Sequence, residues 1–195
     1  RMNSRPKKIN PPGWVWLLLG GFVVLLLAPP LVPRFYVYIL GLIYVTSLLA
    51  MSLNLLVGHG GMYQFHHAVF YGVGAYSIAL LLTKTSLPMW VGFLAGPIIA
   101  ALAGLIIGWF CVRLTRLYFG MLQISLGSLI WAIVYRWYKF TGGDDGIHGI
   151  PMPAFLSSLN QSYYFILAVL VISLLLLYLI LKSPFGSALQ AIRDN

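Results

Sequence analysis

The chain has 195 residues, of which 61% are hydrophobic and only 8% are charged, with 12 basic and three acidic side chains and a net charge of +9. Soluble domains carry about 25% charged residues, so this composition excludes soluble enzymes, nucleic-acid-binding domains and disordered tails. The basic residues are scattered between apolar runs, which indicates a positive-inside topology signal and not a nucleic-acid-binding face. The single cysteine, Cys111, excludes a disulfide within the chain and a cysteine-rich metal site.

Long uncharged runs predict a polytopic membrane protein. A helix needs about 20 apolar residues to cross a bilayer, and several of these runs supply that length. Backbone amides have no other partner in hydrocarbon and no run alternates like a barrel strand, so the predicted fold class is all-α. The runs without Asp, Glu, Lys or Arg are Ile9–Pro33, Phe35–Thr83, Thr85–Val112, Leu117–Tyr135 and Gly146–Leu181.

Six membrane-spanning helices are predicted, separated by glycines and prolines that mark turns. The first apolar run is long and lacks a small-x-small cleavage site, so it is expected to be an uncleaved span. Residues 1–13 form the predicted N-terminal tail, 14–182 the transmembrane domain and 183–195 the start of the next loop. The predicted spans are Trp14–Val32, Tyr36–Val57, Phe65–Leu82, Met89–Val112, Tyr118–Tyr135 and Tyr163–Leu181.

The distribution of Lys and Arg predicts that both ends of the chain are cytoplasmic. With six spans and the N-terminus inside, eight of the 12 basic residues lie inside and four outside. If Phe65–Leu82 were re-entrant, the count would be seven against five, so the six-span arrangement is favoured. The segment Tyr138–Tyr163 then faces outside. The four outside basic residues are Arg34, Lys84, Arg136 and Lys139.

Small residues recur every fourth position along the fourth span and predict a helix-packing groove. The groove could pack against a moving neighbour in a transport core, although ordinary tight packing in a membrane is favoured. A second small-residue face follows the third span, at Ala68, Gly72, Ala75 and Ala79. The residues of the groove are Gly92, Gly96, Ala100, Gly104 and Gly108.

Few polar side chains in the apolar runs are candidates for chemistry. The Asn54 amide must hydrogen-bond to another helix of the bundle or line a water-filled path. The hydrogen bond between helices is the favoured interpretation. Neighbouring helical residues such as His66 and His67 point about 100° apart, which suits joint metal ligation poorly. Interhelical hydrogen bonding is therefore the favoured interpretation of these histidines, and no metal, cofactor or catalytic residue is expected.

The segment Thr141–Gly146 is a glycine-rich turn in the predicted external loop. Its glycines permit positive φ, and its aspartates could accept hydrogen bonds from backbone amides. It lacks the spaced oxygen ligands of an EF-hand and the Gly-Lys-Ser/Thr ending of a P-loop. Two interpretations of Asp145 stay open, a cap for local amides and a charged contact for a docked partner.

Several short motifs, in order, resemble the permeases of bacterial ABC importers for branched-chain amino acids, the LivM branch in particular. Ser52–Gly61 is similar to the family's Leu-Asn-Leu-Leu-x-Gly-x-x-Gly segment, and His67–Tyr76 is similar to the segment that follows it. His66 departs from the pattern, because the family usually has glycine before the histidine that corresponds to His67. Further similar segments are Arg113-Leu114 leading into Tyr118-Phe119, Thr141–Gly146, Ser183–Gly186 and Ala191–Asn195.

The resemblance implies a multi-pass permease of the bacterial inner membrane that hydrolyses nothing itself. Its implied partners are a second permease subunit, two cytoplasmic ATP-binding subunits, a periplasmic substrate-binding protein and membrane lipid, and no nucleic acid. The external signature Gly142, Gly143, Asp145 and Gly146 is then expected near the docked binding protein. The implied substrate-pathway residues are Asn54, Gln64, His67 and Tyr76. The residues implied to lead towards the ATPase-coupling loop are Arg193, Asp194 and Asn195.

The family continues beyond this point, so the chain is expected to be a fragment or a truncated product. The main alternative function is a channel or an ion-coupled facilitator. Ion-coupled carriers usually bury ionisable groups, and the apolar runs hold no Asp, Glu, Lys or Arg, which favours ATP-driven transport. A membrane-embedded metal enzyme ranks third, because it would need His59, His66 and His67 as ligands.

Overall fold

The computed structural model describes residues 13–85, 87–114 and 116–194, with side chains for all of these except 13–19, 116–117, 154 and 194. The predicted N-terminal tail up to Pro12 and the C-terminal Asn195 lie outside the described residues. All regular secondary structure in the described part is helical, in agreement with the predicted all-α class. The helices are α1 Gly13–Leu31, α2 Arg34–Asn54, α3 His67–Lys84, α4 Met89–Cys111, α5 Arg116–Arg136, α6 Tyr138–Thr141, α7 Leu159–Lys182 and α8 Pro184–Asp194.

Four helical stretches in the described part are long and apolar enough to cross a membrane. The first comprises α2 and a π-helical turn that follows it, Leu55–His59. The part of α1 with described side chains, Gly20–Leu31, is apolar but shorter. The 18-residue α3 is not among the four. The four stretches are Arg34–His59, Met89–Cys111, Tyr118–Arg136 and Leu159–Lys182.

A helix lies over each of the six predicted segments, with shifted ends. The largest shift is at α7, which begins at Leu159, four residues before the predicted Tyr163. Gln161 explains this early start, because its Oε1 accepts the Ser158 N–H at 3.2 Å and satisfies one of the free amides at the helix N-terminus. The segment expected to start a loop after residue 182 is instead the helix α8.

One core of the bundle lies where α1, α2 and α7 meet. Helices α2 and α7 run in the same direction, since a Cβ on Gly41 in the first half of α2 would lie 3.6 Å from Ile166 in the first half of α7, and α8, which follows α7, reaches the π-helical turn after α2. The Tyr44 hydroxyl donates to the Tyr163 hydroxyl at 2.6 Å, which in turn donates to the Leu25 carbonyl at 2.7 Å. These two consecutive hydrogen bonds join three helices through polar groups that would otherwise be unsatisfied in an apolar interior. The buried residues of this core are Ala28, Val37, Tyr44, Tyr163 and Leu167.

The second close helix pair is α3 with α4, which run in opposite directions. At their crossing, a Cβ added to Gly96 would lie 2.6 Å from two atoms of the Ile78 side chain and 3.3 Å from the Gly74 carbonyl oxygen. Gly74 also faces α4, since a Cβ added to it would be 3.6 Å from the Ala100 Cβ. The absence of side chains at Gly74 and Gly96 therefore allows the two backbones to approach each other.

The small-residue groove of α4 follows this interface for only part of its length. A Cβ at Gly92 would contact Leu82 at 3.2 Å, and one at Gly104 would be 3.8 Å from Phe70. A Cβ at Gly108 would have nothing within 4 Å. Four residues turn a helix by about 400°, so the groove rotates by about 160° between Gly92 and Gly108. Gly108 consequently faces away from α3.

The bundle has two ends, which we call the α6 end and the α8 end after the helices there. At the α6 end, the Lys84 ammonium donates to the Lys139 carbonyl at 2.9 Å. At the α8 end, the Arg193 guanidinium donates to the Gly58 carbonyl at 3.0 Å, which links α8 to the π-helical turn. Helix α3 begins near the α8 end, beside α2, and finishes with Lys84 at the α6 end. It therefore extends along the full height of the bundle.

Candidate translocation site

A small polar cluster joins the beginning of α3 to α2. The His67 Nδ1 donates to the Gln64 Oε1 at 3.0 Å, and the His67 Nε2 accepts from the Ser52 hydroxyl at 2.8 Å. The Leu49 carbonyl lies 2.8 Å from the same hydroxyl oxygen and competes with His67 for its single proton. All three side chains are half-buried. The cluster provides hydrogen-bonding groups at the edge of an otherwise apolar region.

The cluster opens onto a cavity between the α2/α7 pair and the α3/α4 pair. This cavity has a volume of about 640 Å³, and Ser52 and His67 belong to its lining. Most of its wall is apolar and comes from all four helices, including Leu48, Phe70 and Val169. A cavity of this kind can surround an apolar side chain while a polar group attached to it contacts Ser52 and His67.

His66 points towards α5 and not towards the cluster around its neighbour His67. The residue is 5% exposed, and its ring lies against the Gln123 side chain. The ring packs edge-on against Phe70, with 4.9 Å between the centroids. Beside it, the Gln123 Oε1 accepts the Phe65 N–H at 3.1 Å. The two histidines therefore serve different interfaces, as their expected angular separation implies.

The four predicted pathway residues fall in three separate places. Gln64 and His67 lie together in the polar cluster. Asn54 is exposed at the end of α2, where its side chain packs over Gly58. Tyr76 lines a different cavity, of about 450 Å³, between α3 and α5. The structure thus does not bring Asn54 or Tyr76 into the cluster around His67.

The predicted external signature forms a tight loop at the α6 end. Gly142, Gly143 and Gly146 all have positive φ, of 78°, 61° and 73°. A Cβ on Gly142 would collide with the Gly146 carbonyl, so this position requires glycine for space as well as for conformation. The loop therefore depends on backbone geometry that few other residues adopt.

The two aspartates of this loop have different surroundings. The Asp144 carboxylate accepts the Tyr138 hydroxyl. Asp145 is exposed and makes no hydrogen bond with any residue that the structure describes. The amide-capping interpretation of Asp145 consequently has no support in the geometry, and its carboxylate is available to a partner.

The structure makes two residues prominent that the sequence did not single out, and gives a third, Arg193, an unexpected contact. Ser52 was not singled out, although it hydrogen-bonds His67. Gln123 is 1% exposed and is the sole amide side chain within α5, a signal comparable to that of Asn54. Arg193 was expected to lead towards a coupling loop, and the structure places it on the Gly58 carbonyl. The side chain of Asp194 lies outside the described residues.

No group of three or more His, Cys, Asp or Glu side chains within residues 13–85, 87–114 and 116–194 is placed to hold a metal ion. His59 lies apart from the other histidines, with its Nδ1 3.4 Å from the Asn54 carbonyl. The described geometry offers binding surfaces and hydrogen bonds.

Comparison with known proteins assigns the chain to a family. Residues 35–195 match the family described as the permease component of the branched-chain amino acid transport system. The chain belongs to this family. The match includes both helix pairs, the His67 cluster and the glycine loop, so the resemblance expected from the short motifs is confirmed.

Two curated relatives are permeases of the same system. The chain is 28% identical to the "High-affinity branched-chain amino acid transport system permease protein LivM" of Escherichia coli (strain K12), over 92% of this chain and 49% of the relative. It is 25% identical to the protein of the same name from Salmonella typhimurium (strain LT2), over 91% of this chain and 48% of the relative. The chain thus spans about half the length of the curated relatives it matches. No solved structure shows significant similarity to it.

Proposed function

We propose that this chain is part of a membrane permease subunit of an ATP-driven importer, and that it forms part of the translocation path for branched-chain or related amino acids. The observation that carries the proposal is the family match over residues 35–195. The printed names of both curated relatives describe branched-chain amino acid transport. ATP hydrolysis then belongs to a separate subunit, and this chain is not an enzyme.

The cavity between the two helix pairs is the proposed substrate path. Its apolar wall suits the aliphatic side chain of a branched-chain amino acid, and the polar groups of Ser52 and His67 suit its charged end. Gln64 orients the His67 ring by accepting from Nδ1. Asn54 and Tyr76, which lie outside this cavity, are proposed to face the path only where other subunits complete it.

The proposed topology has six crossings of a bacterial inner membrane with both ends of the chain cytoplasmic. The eight-to-four distribution of Lys and Arg supports this orientation. Contacts at both ends of α3, with α2 near the α8 end and with Lys139 at the α6 end, support a full crossing by this helix. The α6 end is then periplasmic and the α8 end cytoplasmic.

The proposed partners follow from this orientation. The exposed Asp145 in the loop at the α6 end is available to a periplasmic substrate-binding protein. At the α8 end, Arg193, Asp194 and Asn195 lead towards the region that contacts the cytoplasmic ATP-binding subunits. A second permease subunit of the same family and membrane lipid complete the proposed assembly.

Transport assays with His67 variants test this function. A full-length version of the subunit, reconstituted in proteoliposomes with its partner subunits, is expected to take up radiolabelled leucine only when the ATP-binding subunits are supplied with ATP. We expect His67→Ala to lower the initial uptake rate about thirtyfold, because it removes two hydrogen bonds worth about 1 kcal/mol each. His148→Ala, at an exposed histidine of the external loop, is the matched control and should retain wild-type uptake.

These assays test the ATP-driven import function and the proposed substrate path independently. Leucine uptake driven by a sodium or proton gradient without ATP would contradict the importer and favour the ion-coupled alternative. ATP-driven uptake that is unchanged in His67→Ala would keep the importer and remove the cluster from the path.

A further inference from the structure

Helices α3 and α5 diverge and leave a slot between them. The residues just before α3 lie close to the first half of α5, since a Cβ on Gly120 would lie 3.1 Å from the Phe65 ring and one on Gly127 would lie 3.3 Å from the His66 Cβ. Beyond Gly127 the helices enclose the cavity of about 450 Å³ that contains Tyr76. Its wall is almost entirely apolar and includes the exposed aromatic residues Trp131, Trp137 and Phe140.

Three basic residues lie next to residues of the slot wall at the α6 end. The Lys84 ammonium lies 4.8 Å from the centre of the Phe140 ring, which belongs to the slot wall. Arg136 and Lys139 are exposed and directly precede the wall residues Trp137 and Phe140. Three of the four basic residues assigned to the outside are therefore in contact with, or adjacent in sequence to, residues of the slot wall.

None of these three basic residues forms an ion pair with a carboxylate in the described part of the chain. The Asp144 carboxylate accepts the Tyr138 hydroxyl, and Asp145 is exposed without a hydrogen bond. The Lys84 ammonium uses one of its three donors on the Lys139 carbonyl and keeps two for a further acceptor. The site thus combines an apolar slot with nearby cationic side chains that have no carboxylate partner among the described residues.

We propose that this slot binds an anionic phospholipid, with one acyl chain between α3 and α5 and the phosphate among Lys84, Arg136 and Lys139. Tryptophan and basic side chains at the ends of membrane helices lie at the level of lipid headgroups, where such a phosphate is located. A soluble anion would use the cations and leave the apolar slot empty. An apolar helix of another subunit would fill the slot and leave three positive charges unpaired. An anionic lipid satisfies both features at once.

Native mass spectrometry of the full-length protein tests this proposal. The probe is an equimolar mixture of palmitoyl-oleoyl phosphatidylglycerol and phosphatidylcholine in detergent, and the readout is the ratio of the two lipids retained. Wild-type protein is expected to retain phosphatidylglycerol preferentially. The variant with Lys84→Gln, Arg136→Gln and Lys139→Gln should lose this preference, by about fivefold for each cation removed. Arg34→Gln, on an exposed residue of the same end, is the matched control and should keep the preference.

A second variant tests the slot itself. Gly72 lines the slot, and a Cβ there would have nothing within 4 Å, so the side chain of Gly72→Leu begins in open space and occupies part of the slot. It should reduce retention of both lipids at this site while the protein remains folded. An unchanged lipid ratio in the triple variant, or unchanged retention in Gly72→Leu, would overturn the proposal. Loss of subunit assembly in Gly72→Leu with normal lipid retention would also overturn it and identify a protein helix as the occupant.

Discussion

Gly96→Leu is expected to destabilise the full-length protein strongly, by about 3 kcal/mol, because it inserts a side chain where α3 and α4 cross. Even a single added Cβ would lie 2.6 Å from the Ile78 side chain and 3.3 Å from the Gly74 carbonyl oxygen, which belongs to the backbone of α3, and the rest of a leucine side chain needs further space. The measurement is the apparent melting temperature of the purified protein in detergent, together with the amount recovered as a monodisperse species.

Gly108→Leu is the matched control for this prediction. It makes the same change in the same helix and the same small-residue groove, at a position with nothing within 4 Å of the added Cβ. We expect a change within about 0.5 kcal/mol. If the two variants were equally stable, the α3/α4 crossing described here would be wrong.

Gly142→Ala is expected to disrupt the loop at the α6 end and to lower stability by about 3 kcal/mol. Two costs combine at this residue, since φ of 78° disfavours any side chain and the Cβ would collide with the Gly146 carbonyl. The predicted readout is faster proteolytic cleavage between α6 and α7, with reduced binding of the periplasmic partner.

Gly146→Ala separates these two costs. Gly146 also has positive φ, at 73°, but an added Cβ would have open space. This variant should lose only about 1 kcal/mol, from backbone strain alone. Equal losses in the two variants would show that conformation, and not the close approach of Gly142 to Gly146, governs the loop.

The helices could be predicted from the sequence because uncharged runs leave the backbone no alternative in hydrocarbon. The partners of individual polar residues could not. Helix α2 is apolar on all sides, so its periodicity does not show which face packs against neighbours. Ser52 and Asn54 are two positions apart and face different directions, and the structure places Ser52 on His67 while Asn54 is exposed.

The sequence of α8 contains a helix signal from which this helix could have been predicted. Pro184 follows Ser183 at the helix start, Phe185, Leu189 and Ile192 recur at helical spacing, and Arg193 lies in the last turn. Leu189 is buried against the end of α2, where a Cβ on Gly60 would lie 3.6 Å from it. The contact between Arg193 and Gly58 could not be predicted, because it depends on how α7 directs α8 across the bundle.

The claim on which the proposals most depend is that the two ends of the bundle face opposite sides of the membrane. Cysteines introduced one at a time at Ser158 and Ser187, both exposed, test it in a Cys111→Ser background. A membrane-impermeant maleimide added to intact spheroplasts should label Ser158→Cys directly and Ser187→Cys only after permeabilisation. Labelling of both positions from the same side, in folded protein, would contradict the six-crossing arrangement and with it the proposed path.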